Sequence, residues 1–167
     1  PIEPEGYAGA YRAQLWGAPG LALTPDGSSV LTASNEDELV WWDVRSRSAT
    51  RRVRIGSGHH ALAVSSDGNT AAVGVDRGIQ LVDTRSGAVR TSAGVLTDAP
   101  NWLAFSSDGR IVVSTGLDGA VTLWDVRSAT VRETLRGQLK TVFAKTGARR
   151  QAELVARVAN IRNVVRH

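Results

Sequence analysis

Three times along the chain a short apolar run gives way to a polar turn ending in Asp-Gly, then to a second apolar run, a second turn and a third, alternating run. In the most regular copy, residues 103–127 read LAFSSDGRIVVSTGLDGAVTLWDVR. The apolar run 103–106 predicts a strand, and Asp108 with Gly109 predicts a hairpin in which glycine accepts the positive φ that the turn demands. Residues 111–115 are β-branched and apolar and suit a buried strand; Asp118 with Gly119 marks a second tight turn, and residues 121–126 alternate as a third strand. The more polar stretch 130–135 predicts a fourth. One period is therefore a four-stranded antiparallel sheet, which cannot cover both of its own faces.

The earlier copies begin at Leu21 (LALTPDGSSVLTASNEDELVWWDVR) and Leu62 (LAVSSDGNTAAVGVDRGIQLVDTR), and their turn glycines, Gly27, Gly68 and Gly109, are spaced 41 residues apart. A fixed period in this range marks a repeat architecture. Asp26, Asp67 and Asp108 recur with that period because turns need them, so they are not evidence for a general acid and base pair. Arg77 takes the place of the second-turn glycine in the middle copy and is expected to project into solvent.

Trp42 with Asp43 and Trp124 with Asp125, together with Leu135, Arg136 and Gly137 as a Leu-x-Gly, resemble the WD-repeat family over residues 20–137. The resemblance implies an all-β fold, consecutive four-stranded antiparallel blades of a partial β-propeller, to which the residue pattern adds a basic C-terminal tail that is either helical or a degenerate blade. It divides the chain into a lead-in or remnant of a preceding blade (1–19), blades at 20–60, 61–101 and 102–137, and a degenerate fourth blade or basic helical tail at 138–167. In that family a histidine, a strand serine or threonine, a turn aspartate and the tryptophan can join in a hydrogen-bonded set. Asp76 and Asp118 match the turn aspartate and Glu36 or Asp37 approximates it, but Val82 replaces the middle tryptophan and Gln138 stands where a histidine is expected. No unit carries the full set, so the blades are expected to depend on packing. Trp42, Asp43, Asp76, Asp83, Asp118, Trp124 and Asp125 are expected to be structural, and Trp102 to pack between blades.

Composition alters this picture at one end. Residues 136–167 hold eight Lys and Arg against Glu153 alone, a net +7, which leaves −3 for the remainder of a chain whose total is +4. The high basicity therefore belongs to the tail and gives no reason to assign nucleic-acid binding to the blades. In the tail Leu154, Val158, Ile161 and Val165 fall on one helical face, although the many valines favour strand. The lead-in has neither a basic-plus-apolar signal nor a long apolar run. Absence of cysteine fits a reducing, cytoplasmic setting and excludes disulfides and cysteine-based zinc sites. The excess of arginine over lysine, with abundant alanine and glycine, suggests a GC-rich bacterial source.

Catalytic signatures are absent: the sequence has no Gly-x-Ser-x-Gly elbow, no phosphate-binding Gly-Lys-Ser or Gly-Lys-Thr loop and no Gly-x-Gly-x-x-Gly. His59 and His60 sit in a glycine-bounded loop. Adjacent strand residues point to opposite faces and no third ligand is near, so a polar loop or a partner contact is favoured over a metal. No catalytic residue, metal or cofactor is expected. The expected function is a non-enzymatic protein- or peptide-binding scaffold. Its candidate contacts on the face that the family's interblade loops and second-to-third strand turns share are Asn35, Asp37, His59, His60, Arg77, Asn101 and Leu117. The alternatives are a propeller enzyme with a central pocket, or binding of nucleic acid or an anionic surface through the tail. Three good units fall short of the four to eight blades of a closed ring. The expectation is therefore a piece of a longer propeller, or closure by self-association with a second copy.

Overall fold

The computed structural model describes residues 20–34, 36–58, 61–92, 94, 96–116 and 118–135. They form twelve strands: β1 (Gly20–Leu23), β2 (Ser29–Ser34), β3 (Glu38–Asp43), β4 (Ser48–Arg54), β5 (Leu62–Val64), β6 (Thr70–Val75), β7 (Gly78–Asp83), β8 (Val89–Thr91), β9 (Pro100–Phe105), β10 (Ile111–Gly116), β11 (Val121–Asp125) and β12 (Thr130–Leu135). Each consecutive set of four makes one antiparallel sheet in sequence order, as the pattern predicts. The first turn of every sheet is closed by the same chemistry. Gly27, Gly68 and Gly109 adopt φ values of 69°, 73° and 68°. Their N–H groups donate to the carbonyls of Thr24, Ser65 and Ser106 at 2.8, 2.9 and 2.9 Å. A side chain in that left-handed region is strained, which is why the glycine recurs.

The sheets stack through two apolar clusters, and each cluster receives one tryptophan. Between the first and second sheets, Leu31, Ala33, Leu39, Trp41 and Ile55 meet Ala71, Val73 and Val82. Between the second and third, Ala72, Ile79 and Leu81 meet Val112, Trp124 and Ala129. Trp41, Leu81 and Leu123 occupy one place in their sheets, each just before Trp42, Val82 and Trp124 in turn. Alternation along a strand sends these two positions to opposite faces. Val82 therefore faces Trp41 of the sheet before it, and Leu81 faces Trp124 of the sheet after it. A valine stands in the middle repeat because the bulk that its tryptophan would supply comes from across the interface, as close packing requires.

Two details differ from the sequence reading. Trp102 does not pack against the second sheet: it lies in β9 opposite Thr115, on the face of the third sheet turned away from the second, and is 49% exposed. The strand begins earlier than the apolar run because Pro100 joins it through a bulge between Thr115 and Gly116, which places Asn101 opposite that irregularity. Arg77 is exposed as expected, but it is not among the residues with positive φ, so the β6–β7 turn has no need of the glycine it replaces. The basic tail and the lead-in fall outside the described residues.

Candidate functional site

Antiparallel order puts the second-to-third strand turns and the intersheet loops at one end of every sheet, and hydrogen bonds fasten the two together. The Asp37 carbonyl accepts the Ile55 N–H at 2.8 Å, with Asp37 itself held at φ 58°. Asp76 accepts the Ser57 hydroxyl on Oδ2 at 2.8 Å and donates its N–H to the Ser57 carbonyl at the same distance. Asp118 accepts the Thr97 hydroxyl on Oδ2 and the Ala120 N–H on Oδ1. In the second and third sheets a turn aspartate thus holds a hydroxyl of the incoming loop. Of the candidate contacts, Asp37, Arg77 and Asn101 belong to this end, Arg77 exposed and Asn101 half-buried. Asn35, His59, His60 and Leu117 fall outside the described residues.

The namesake tryptophans play different parts. Trp124 is fully buried and donates its indole N–H to the Ser114 hydroxyl at 2.8 Å. Trp42 makes the corresponding bond to the Thr32 hydroxyl at 2.9 Å but is 38% exposed. Its neighbours on that face, Leu21, Leu23 and Val44, are exposed as well, whereas the matching Leu103, Phe105 and Val126 pack into the cluster around Trp124.

At the opposite end lie two recurring sets of aspartates. The Thr24, Ser65 and Ser106 hydroxyls donate to Asp26, Asp67 and Asp108 at 2.6, 2.5 and 2.6 Å, and these bonds are the main reason that each carboxyl lies below its ordinary pKa. The Ser46, Ser86 and Ser128 N–H groups donate to Asp43, Asp83 and Asp125 at 2.6, 2.7 and 2.9 Å and lower theirs in the same way. A carboxyl whose pKa is depressed in the folded state contributes stability above its unfolded value of about 3.9, and loses it as pH falls through the folded value. The urea midpoint is expected to hold steady above about pH 5 and to fall below about pH 4. Asp67→Asn with Asp108→Asn should flatten that fall, and a wild-type midpoint unchanged down to pH 3 would contradict the assignment.

Arg51 is a clasp between sheets. Its Nη1 donates to the carbonyls of Thr84 and Arg85 at 2.9 and 2.6 Å, and its guanidinium lies 5.8 Å from the Trp41 ring centroid. Arg90 repeats the device one sheet later, donating to the Arg127 and Val126 carbonyls at 3.0 and 3.1 Å. The two arginines are in register, opposite Trp41 and Leu81. That periodic placement is the signal a reading by charge alone passes over.

Between the β8–β9 loop and the third sheet is a cavity of about 270 Å³, lined by Leu96, Thr97, Asp98, Ser114, Asp118 and Thr122 among others. Among the described residues no three His, Cys, Asp or Glu side chains are grouped to hold a metal.

Three stacked four-stranded meanders with this turn chemistry define blades of a β-propeller. The family model for the WD domain, G-beta repeat, matches residues 91–125. An uncharacterized WD repeat-containing protein of the cyanobacterium Synechocystis is 30% identical over 135 residues, which is 77% of this chain and 38% of that protein. Autophagy-related protein 16 of Arabidopsis thaliana is 29% identical over 126 residues, 73% of this chain and 24% of that protein. The crystal structure of the RRP9 WD40 repeats superposes with a TM-score of 0.65 at 29% identity, covering 71% of this chain and 38% of that one. The chain carries a WD repeat at residues 91–125 and is similar to WD-repeat proteins, and it spans well under half the length of these relatives.

Proposed function

We propose that this chain is a non-enzymatic scaffold that binds a protein or peptide at the end where its intersheet loops meet the second-to-third strand turns. The observation that supports this reading is the fastening of loop to turn at Asp76–Ser57 and Asp118–Thr97, which presents Arg77 and its neighbours on rigid strands. Loops held by such a framework are where recognition residues concentrate. Peptides selected from a display library on the purified chain test it. Arg77→Glu should weaken their binding at least about tenfold while moving stability by less than about 1 kcal/mol, the usual range for surface changes. Loss of binding that appears only when the fold is also lost would contradict a site on this end.

A second reading concerns self-association. The Leu21, Leu23, Trp42 and Val44 face matches the one by which the third sheet docks on the second, yet Leu21 is 68% exposed. An apolar face of this kind favours association. Light scattering of the 167-residue chain is expected to give a dimer or larger species, reduced to monomer by Leu21→Asp with Leu23→Asp; a monodisperse wild-type monomer would overturn it.

A further inference from the structure

The clasp that joins successive sheets changes sign at the third. Arg51 and Arg90 stand opposite Trp41 and Leu81, and each gives guanidinium protons to turn carbonyls of the sheet that follows. Opposite Leu123, in the same register, stands Glu133. An ionised carboxylate only accepts hydrogen bonds. It repels the carbonyls that a further turn of the same kind would bring, and it favours a cation in their place.

The outer face of this sheet has a second property. Val113, Val121 and Leu123 are at most 4% exposed, and the described residues packed with them, Ala104, Ile111 and Leu135, all belong to the third sheet. On the leading face of the first sheet, by contrast, Leu21, Leu23, Trp42 and Val44 are between 38 and 68% exposed. An apolar sheet face is stable when another element covers it, and no described residue outside the third sheet joins this cluster.

We propose that residues 138–167 of this chain fold back over the outer face of the third sheet and cap it, with apolar side chains on Val113, Val121 and Leu123 and a lysine or arginine at Glu133. Charge selects this occupant, because the segment holds seven Lys and Arg against Glu153 alone. Reach selects it as well. The segment follows β12 at the end where both earlier linkers, after Arg54 and Thr91, carry the chain to the next layer, and Phe143 comes eight residues after Leu135, as Leu62 comes eight after Arg54. Covered in this way, the outer face is closed to the leading face of a second copy, a head-to-tail contact of the kind that can repeat without closing.

The chain has no cysteine, so one introduced thiol carries a nitroxide at a chosen place. On the full ¹⁵N-labelled chain, a nitroxide on Trp102→Cys, a half-exposed site at the β9 edge of the outer face, is expected to broaden the Val142 and Phe143 amides. A nitroxide on Val44→Cys, on the exposed leading face of the first sheet, should leave them sharp. A mixture of nitroxide-bearing unlabelled chain with ¹⁵N-labelled wild type should also leave them sharp, because the contact lies within one chain. Independently, Glu133→Arg, at an exposed position of β12, should speed chymotryptic cleavage after Phe143 about fivefold, the scale of one exposed ion pair, with the third-sheet amides unmoved. The proposal is overturned if the Trp102→Cys nitroxide leaves the two amides sharp, if the Val44→Cys nitroxide broadens them as much, or if Glu133→Arg is cleaved at the wild-type rate. Broadening found equally in the mixture would identify a second copy as the cover and overturn it too.

Discussion

Trp124→Ala is expected to lower the unfolding free energy by about 3 to 5 kcal/mol, the range for a large aromatic removed from a core. The side chain is wholly buried against Ala72, Ile79 and Leu81. Its ring also lies 3.7 Å from where a Cβ on Gly94 would sit, so the β8–β9 loop closes over it. Two losses combine: the packed ring, and the indole N–H bond to Ser114. Trp124→Phe separates them, because it retains most of the apolar contact and forfeits only the hydrogen bond, about 1 kcal/mol. Trp42→Ala provides an internal comparison, since the tryptophan of the same dipeptide there is itself 38% exposed, and its cost should be well under half as large. Equal urea midpoints for wild type and Trp124→Ala would sink the assignment of Trp124 as the anchor of the third blade.

Exchanging bulk across the first interface should reveal why the middle repeat lacks a tryptophan. Trp41→Leu alone opens a cavity beside Val82 and is expected to cost roughly 2 to 4 kcal/mol, including the loss of the ring beneath Arg51. Val82→Trp alone forces a second large ring into a filled space, at about 1 to 3 kcal/mol or more. Together they reproduce the arrangement of Leu81 facing Trp124, in which volume is conserved. The double variant is expected to be more stable than the sum of the single effects predicts, with a favourable coupling of about 1 to 3 kcal/mol in a double-mutant cycle. Simple additivity would mean that Trp41 and Val82 do not share one packing space.

Among the described residues, loops are fastened to turns by a hydroxyl in place of the histidine of the family's set. A hydroxyl on the incoming loop, Ser57 or Thr97, meets the turn aspartate directly, while Trp124 and Ser114 bond as a separate pair. The expectation that these blades depend on packing agrees with the two continuous clusters between the sheets. Hydrogen bonds at the turns fix loop position rather than supply most of the core.

The strands and first turns were legible in the sequence because their causes are local. The Asp-Gly pairs require a left-handed glycine, and β-branched alternation suits a pleated surface, so the element order and the four-strand unit follow from residues near one another. The burial of Trp124 was legible for the same reason, since it ends the most regular repeat. Trp102 was not, because an aromatic in a strand has no way to declare which neighbour lies over its face; only the stacking leaves it on the side turned away from the second sheet. Arg51 and Arg90 carry no local sign of their role, and act as clasps because the next sheet brings its turn carbonyls within reach. The exchange of bulk between Trp41 and Val82 belongs to the same class: each residue is unremarkable in its own strand, and the pairing exists only across an interface that joins positions 41 residues apart. Local backbone preference acts over a few residues and can be read along the chain, whereas close packing acts between surfaces and was decided by the tertiary structure.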